Sequence, residues 1–281
     1  MSAIPKIGTR LKRDVIFLVD STMFGAVAPA AITYATIILT KNPFSWQLVL
    51  LPFFACLLIY STNRITDRKE DAINTPERVR FPQCIRIILL VVSLVFYILL
   101  LMIVLQKNFL SFVIGLLPLI IAIMYSVLRL KQIFILKNIL IAGACGSSVL
   151  IVPSYYENWS STSGMLFFFF FLLVFLNTII FDIKDIKGDR VYSIQTLPVR
   201  LGILETKYIC YTLLAGAFIL IIPLVSINRE SILLIPCTCT IAISTHYAPE
   251  SEKSPWWYFG FLVDGEYWIL LFSSLIIIIL R

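Results

Sequence analysis

Residues 85–105 read IRIILLVVSLVFYILLLMIVL, with Arg86 the only charge in the run. A helix needs roughly 20 such residues to cross the hydrocarbon of a bilayer. A barrel strand would be about half as long and would alternate apolar with polar positions, which this stretch does not. Inside lipid the backbone N–H and C=O groups find no water, so a run of this length must close its hydrogen bonds within a helix. The same pattern recurs along the chain. Nine spans are predicted, at roughly 15–39, 46–63, 84–106, 109–128, 136–153, 164–182, 206–227, 230–247 and 256–280.

Composition agrees with that reading. Of 281 residues, 59% are hydrophobic and 14% charged, with a mean hydropathy of +0.94. Soluble domains carry about 25% charged residues. Water-soluble globular and disordered chains are both excluded, the second because disorder goes with a poverty of apolar residues. The expectation is an all-α polytopic membrane protein of about nine transmembrane helices. It forms one domain over 1–281, with a membrane core at about 15–280.

Placing the N-terminus in the cytoplasm and crossing nine times puts 19 of the 23 Lys and Arg residues inside, leaving Lys41, Lys107, Arg229 and Arg281 outside. The positive-inside rule demands an asymmetry of that sign. The six cysteines sit mostly in apolar runs and are expected to act as small hydrophobes. With His246 the only histidine, a His-based zinc site or a Ser-His-Asp triad has almost nothing to work with.

The chemistry concentrates in two loops on the inner side. Asn63, Asp67 and Asp71 are spaced i, i+4, i+8, so they form one stripe if the helix runs on past the membrane. In the second cluster Asp185 and Asp189 share a face, and Asp182 lies one turn earlier. Asn177 and Phe181 continue that stripe toward the membrane. Seven of only 16 acidic residues fall in or just after these windows: Asp67, Glu70, Asp71, Glu77, Asp182, Asp185 and Asp189. Like charges stacked at i, i+4 destabilise a helix unless something neutralises them. The alternative is a pair of solvated acidic loops.

Two facing aspartate stripes suit divalent metal with a phosphorylated substrate. Mg²⁺ prefers hard oxygens, takes one or two carboxylates and shares phosphate oxygens. The interleaved bases (Arg64, Arg68, Lys69, Arg78, Lys184, Lys187 and Arg190) and the basic loop with Arg129, Lys131 and Lys137 could take the remaining phosphate charge. Positive-inside placement or contact with anionic lipid explains many such bases equally well.

These residues resemble the UbiA superfamily of intramembrane prenyltransferases. Asn63-x3-Asp67-x3-Asp71 is similar to its first motif, and Asn74-Thr-Pro76-Glu-Arg78 to the stretch that follows it. Asp182-x2-Asp185-x3-Asp189 is similar to the second, followed by Thr196-Leu-Pro198-Val-Arg-Leu-Gly202. Between them, Tyr125-Ser126, Arg129-Leu-Lys131 and Lys137-Asn138 resemble the family's middle loop. Thr62-Asn63-Arg64 departs from the more usual Asn followed by Asp, and Ser193 stands where Gly is common.

The resemblance implies helices around a central cavity opening to the bilayer, Mg²⁺ dependence, a polyprenyl diphosphate donor and a hydrophobic or aromatic acceptor. No nucleic-acid partner is expected. It further implies Asp67, Asp71, Asp185 and Asp189 as catalytic metal ligands, with Asp182 also in the metal shell. Asn63, Arg78, Arg129, Lys131, Lys137 and Lys184 would bind the diphosphate, and Tyr60, Tyr125, Phe175 and Phe181 would line the prenyl chain. Of the Phe run at 167–171, only one or two residues can face a cavity, because five consecutive positions point all round a helix. Asp20, Asp264 and Glu266 lie in predicted spans, where an ionisable residue is a functional candidate by default, but they are left outside the site. The active site is expected on the cytoplasmic side.

Three other readings remain beside this one. A cation or pyrophosphate transporter would place its polar groups nearer the bilayer midplane. A CDP-alcohol phosphotransferase would gather its aspartates in one contiguous motif. A terpene cyclase of the same superfamily would capture the cation within the donor itself.

Overall fold

The computed structural model describes residues 22–66, 68–74, 81–127, 130, 133–248 and 258–280, with the side chains of 69–71, 126, 127 and 260 outside the description. The helices are α1 (Met23–Leu39), α2 (Trp46–Thr66), α3 (Arg68–Asn74), α4 (Gln83–Lys107), α5 (Phe109–Val127) and α6 (Leu136–Tyr155). They continue as α7 (Ser161–Val191), α8 (Leu197–Leu201), α9 (Ile203–Ile227), α10 (Leu234–His246) and α11 (Asp264–Leu280). A 3-10 turn, Arg229–Leu233, leads into α10, and a π-helical turn, Tyr258–Val263, leads into α11. Among the described residues there is no strand.

Among the described residues six helices are long and apolar enough by themselves to cross a membrane, among them the 25-residue α4 that contains the run at 85–105. The described part of α1 and the apolar part of α5 are shorter. The predicted eighth span differs most. It is divided between the 3-10 turn and a 13-residue α10. Asn228 caps the 3-10 turn at its start, its side-chain oxygen accepting the Glu230 N–H at 3.2 Å.

The long helices close into a ring in chain order. α1 packs on α2, α2 on α4, α4 on α5, α5 on α6, α6 on α7, α7 on α9, α9 on α10, α10 on α11, and α11 back on α1. α1 and α6 also meet across the middle. Small residues make that crossing possible: Ala26, Ala31, Ala35 and Ala142 are fully buried, and Ser148 nearly so. Without a hydrophobic drive between helices in lipid, close backbone approach of this kind supplies the attraction. The Thr33 hydroxyl seals it by donating to Ser148 O at 3.1 Å.

Two apolar clusters result. One joins α1, α6, α7, α9, α10 and α11 around Phe169, Phe170 and Leu173. The other joins α2, α4, α5 and α6 around Leu48, Leu51 and Tyr97. The outer face of α4 leaves Ile88, Val91, Val95, Ile98, Leu99 and Met102 exposed. A soluble protein rarely carries so large a contiguous apolar patch; lipid requires one.

Candidate active site

The predicted sixth span runs on as a single helix to Val191, 31 residues in all, so Asp182, Asp185 and Asp189 stand on one continuous α7. At 1.5 Å per residue α7 is about 46 Å long, well beyond the roughly 30 Å of hydrocarbon. Its last turns therefore reach the membrane boundary, where carboxylates can meet water and substrate. Asn177, Phe181, Asp185 and Asp189 follow one another at steps of four and all line one cavity of about 290 Å³.

The three aspartates have different surroundings. Asp182 is 3% exposed. Its Oδ1 lies 2.7 Å from Lys137 Nζ, and its Oδ2 accepts Asn138 Nδ2 at 2.9 Å. Both oxygens are thus engaged by α6. The same Lys137 Nζ lies 3.5 Å from Asp189 Oδ2, a buried oxygen with no hydrogen-bond partner among the described residues. Asp185 is more open and lies 3.9 Å from Lys184 Nζ. The Lys184 ammonium also sits over the rings of Phe181 and Phe259, at 5.3 and 5.7 Å from their centroids. Lys137, read from sequence as a diphosphate ligand, thus spans two aspartates of the second ladder.

The first ladder comes to the same place from α2. Asn63, Arg64 and Tyr60 line the cavity opposite α7. Asp67, Arg78, Arg129 and Lys131 lie outside the described residues. Asp71 is in α3, its side chain outside the description. α3 packs on α7, and the link is specific: Asn74 Oδ1 accepts the Gly188 N–H at 2.8 Å. A Cβ on Gly188 would fall 2.4 Å from Asn74 Nδ2, so only glycine lets the two helices approach this closely. Arg86 has a local role as well: its Nη1 donates to Arg64 O at 3.0 Å, near the end of α2.

Below this charged mouth the cavity is mostly apolar. Ala55, Ile59, Pro118, Ile121, Ala122 and Ile141 form a wall from α2, α5 and α6. A small void of about 10 Å³ continues that wall past Pro52, Ala55, Pro118 and Ser148 toward Leu51 and Ile151. Tyr60, Tyr125 and Phe181 line the cavity as expected from sequence. Phe175 does not: it stacks on Phe171 with centroids 6.1 Å apart. Two residues from Asn177, it sits roughly 200° round the helix from the ladder face. None of the Phe run lines the cavity either; Phe169 and Phe170 are fully buried in the core and Phe168 points outward.

Asp264, left outside the site by sequence reasoning, lines the same cavity. Its place in a predicted span was the signal that could have found it. Asp20 lies outside the described residues. Glu266 is fully buried and accepts Asn177 Nδ2 at 2.7 Å.

The donor set suits a hard divalent cation such as Mg²⁺. It consists of carboxylate oxygens, one of them buried and without a hydrogen-bond partner among the described residues, beside lysines that would balance phosphate charge. Among the described residues no three acidic, His or Cys side chains enclose an ion by themselves. The α7 ladder is an open half-shell.

A model of the UbiA prenyltransferase family matches residues 26–275. A search of the curated proteins finds no match by sequence. Among solved structures, a UbiA homologue from Aeropyrum pernix K1 superposes with a TM-score of 0.67 at 17% identity, covering 90% of this chain and 98% of that one. A UbiA homologue from Archaeoglobus fulgidus bound to GPP and Mg²⁺ superposes with a TM-score of 0.64 at 15% identity, covering 92% and 96%. The same homologue bound to DMAPP and Mg²⁺ gives 0.66 at 16%, covering 93% and 97%. At these identities the superpositions speak to the fold.

Proposed function

This chain belongs to the UbiA prenyltransferase family, and from that membership we propose that it transfers a prenyl group from a polyprenyl diphosphate to a hydrophobic or aromatic acceptor within the membrane. The observation that carries the reading is the meeting of α7's Asp185 and Asp189 with α2's Asn63 and Arg64 at the mouth of one cavity, above an apolar interior.

The chain's residues divide the work. Asp185 and Asp189, with Asp67 and Asp71 of the first ladder, would hold Mg²⁺. The relative bound to GPP and Mg²⁺ supports a magnesium requirement. When bound, the metal supplies positive charge against the negative charge that grows on the departing diphosphate. Asp182 fixes Lys137 and Asn138, and Lys137 in turn orients Asp189. Lys184, Arg64, Arg78, Arg129 and Lys131 take diphosphate charge, with Asn63 beside them. Such pre-placed charges act where negative charge develops, which is where they lower a barrier most. The apolar wall keeps water from the allylic cation, and the faces of Tyr60, Tyr125 and Phe181 stabilise it. The excess of Lys and Arg on one side supports a mouth that opens toward the cytoplasm.

The test is to incubate purified protein with Mg²⁺ and allylic diphosphates of several chain lengths, with and without an acceptor panel. The expected result is Mg²⁺-dependent release of diphosphate and, with a suitable acceptor, a product heavier by one prenyl unit. Intact donor under every condition would overturn the reading.

A further inference from the structure

The cavity has two unlike walls. One, from α2, α5 and α6, is apolar and runs on into the small void beyond Pro52 and Pro118. The other, from α1, α7 and α11, presents Gly25, Asn177 and Asp264. Tyr60 is one turn, about 6 Å, deeper than Arg64, and Asn177 is two turns, about 12 Å, deeper than Asp185. A Cβ on Gly25 would meet Asp264 Oδ2 at 3.4 Å and Tyr60 at 3.7 Å. Asp264 therefore stands beside Tyr60, below the charged mouth, with Gly25 between them among the described residues. Pro29, one turn on from Gly25, has no N–H to give the Gly25 carbonyl, so that carbonyl lacks its i+4 helical donor.

This wall is held in place. Asn177 Nδ2 donates to Val263 O at 3.2 Å and to Glu266 Oε1 at 2.7 Å, on either side of Asp264. Asn177 is 6% exposed and Glu266 0%. One amide on the ladder helix thus pins the start of α11, and Asp264 with it, to the helix that carries Asp185 and Asp189.

We infer that the Asp264 wall is the acceptor subsite, and that Asp264 takes up the proton the acceptor loses when the prenyl group joins it. The inference rests on the prenyl-transfer reading above. The donor's chain follows the apolar wall, so the polar wall is left to a hydroxyl-bearing acceptor, a phenol or an alcohol. In the step, the allylic C–O bond breaks with its electron pair going to the diphosphate. The new bond forms between the prenyl C1 and the acceptor's nucleophilic atom. One proton leaves the acceptor for a carboxylate oxygen of Asp264.

The experiment follows the partition of a Mg²⁺-ionised allylic diphosphate between the prenylated acceptor and the water-quenched alcohol, with a hydroxylated acceptor present. Asp264→Asn is expected to lower the ratio of transfer to hydrolysis about a hundredfold, the scale of a lost general base. Its affinity for a non-hydrolysable diphosphate analogue with Mg²⁺ should stay near wild type. A merely structural role would lower both products together and leave the ratio alone; that result overturns the inference, as does an unchanged ratio. Gly25→Leu, whose Cβ has room, fills the gap beside Asp264 and provides a second route should Asp264→Asn fold poorly. It should raise the acceptor KM about tenfold, and an unchanged KM would count against the subsite. If wild type releases no diphosphate from any donor, the prenyl-transfer reading fails first, and that outcome is distinct from a failure confined to the variants.

Discussion

The two carboxylate ladders share a four-residue step, Asp67 to Asp71 and Asp185 to Asp189, but are held in different ways. The second is built into the middle and end of a 31-residue helix, with Asp182 locked by Lys137 and Asn138 and the same lysine reaching Asp189. The first leaves the end of α2 and continues in the seven-residue α3, which is tied to the second ladder through Asn74 and Gly188. Position along the chain accounts for the contrast. The second ladder grows from a long helix buried among its neighbours, whereas the first starts at the end of α2 and passes to a short helix leaning on α7. One ladder acts as the fixed jaw, and the other must be docked onto it.

The contrast can be broken most sharply at its chemical end. Asp185→Ala should lower Mg²⁺-dependent turnover about a thousandfold, the upper scale for losing one pre-placed electrostatic partner, with helicity by circular dichroism unchanged. Near-normal turnover would remove Asp185 from the shell. Lys137→Met should act on the fixed jaw itself, leaving Asp182 and Asp189 buried without their cation. Breaking a buried ion pair from one side costs about 3 kcal/mol, to be read as a lowered thermal midpoint in detergent. A midpoint equal to wild type would mean the jaw does not depend on that pair.

Smaller changes sharpen the docking half. Gly188→Ala drives a methyl into the Asn74 amide and should part the ladders at a cost of about 2 kcal/mol, typical of overpacking. The reading is a rise in the KM for donor larger than any change in the melting midpoint. Asn74→Ala removes only the hydrogen bond to Gly188 N, worth about 1 kcal/mol. It should raise the same KM several-fold, and less than Gly188→Ala does. The reverse order would argue that the steric fit matters less than the bond.

Much of this molecule is legible from local spacing. The run at 85–105 becomes α4 with ends shifted by a residue or two, and the stripe Asn177, Phe181, Asp185, Asp189 lies along one cavity because a helix repeats every 3.6 residues wherever it is placed. Legibility fails where a role depends on partners from other helices. Phe175 looks like a lining residue by its closeness to the motif, yet the helical turn sends it to Phe171. Lys137 looks like a phosphate ligand, yet α6 sets it between two aspartates. Asp264 stood outside the site because nothing within α11 links it to the ladders; the link is Asn177, 87 positions earlier, bonding to the carbonyl of Val263.

By itself the sequence determined that this is an all-α membrane protein and that Asp185 and Asp189 share a face with Asn177 and Phe181, because length, hydropathy and helical period are properties of contiguous residues. Only the tertiary structure decided that Asn63 and α3 meet the second ladder, that Lys137 lies between Asp182 and Asp189 and that Asp264 joins their cavity. Those outcomes turn on how α1, α2, α6, α7 and α11 pack sideways in the ring. Lateral packing of helices in lipid is governed by shape and by single hydrogen bonds between distant residues, which no run of consecutive residues records.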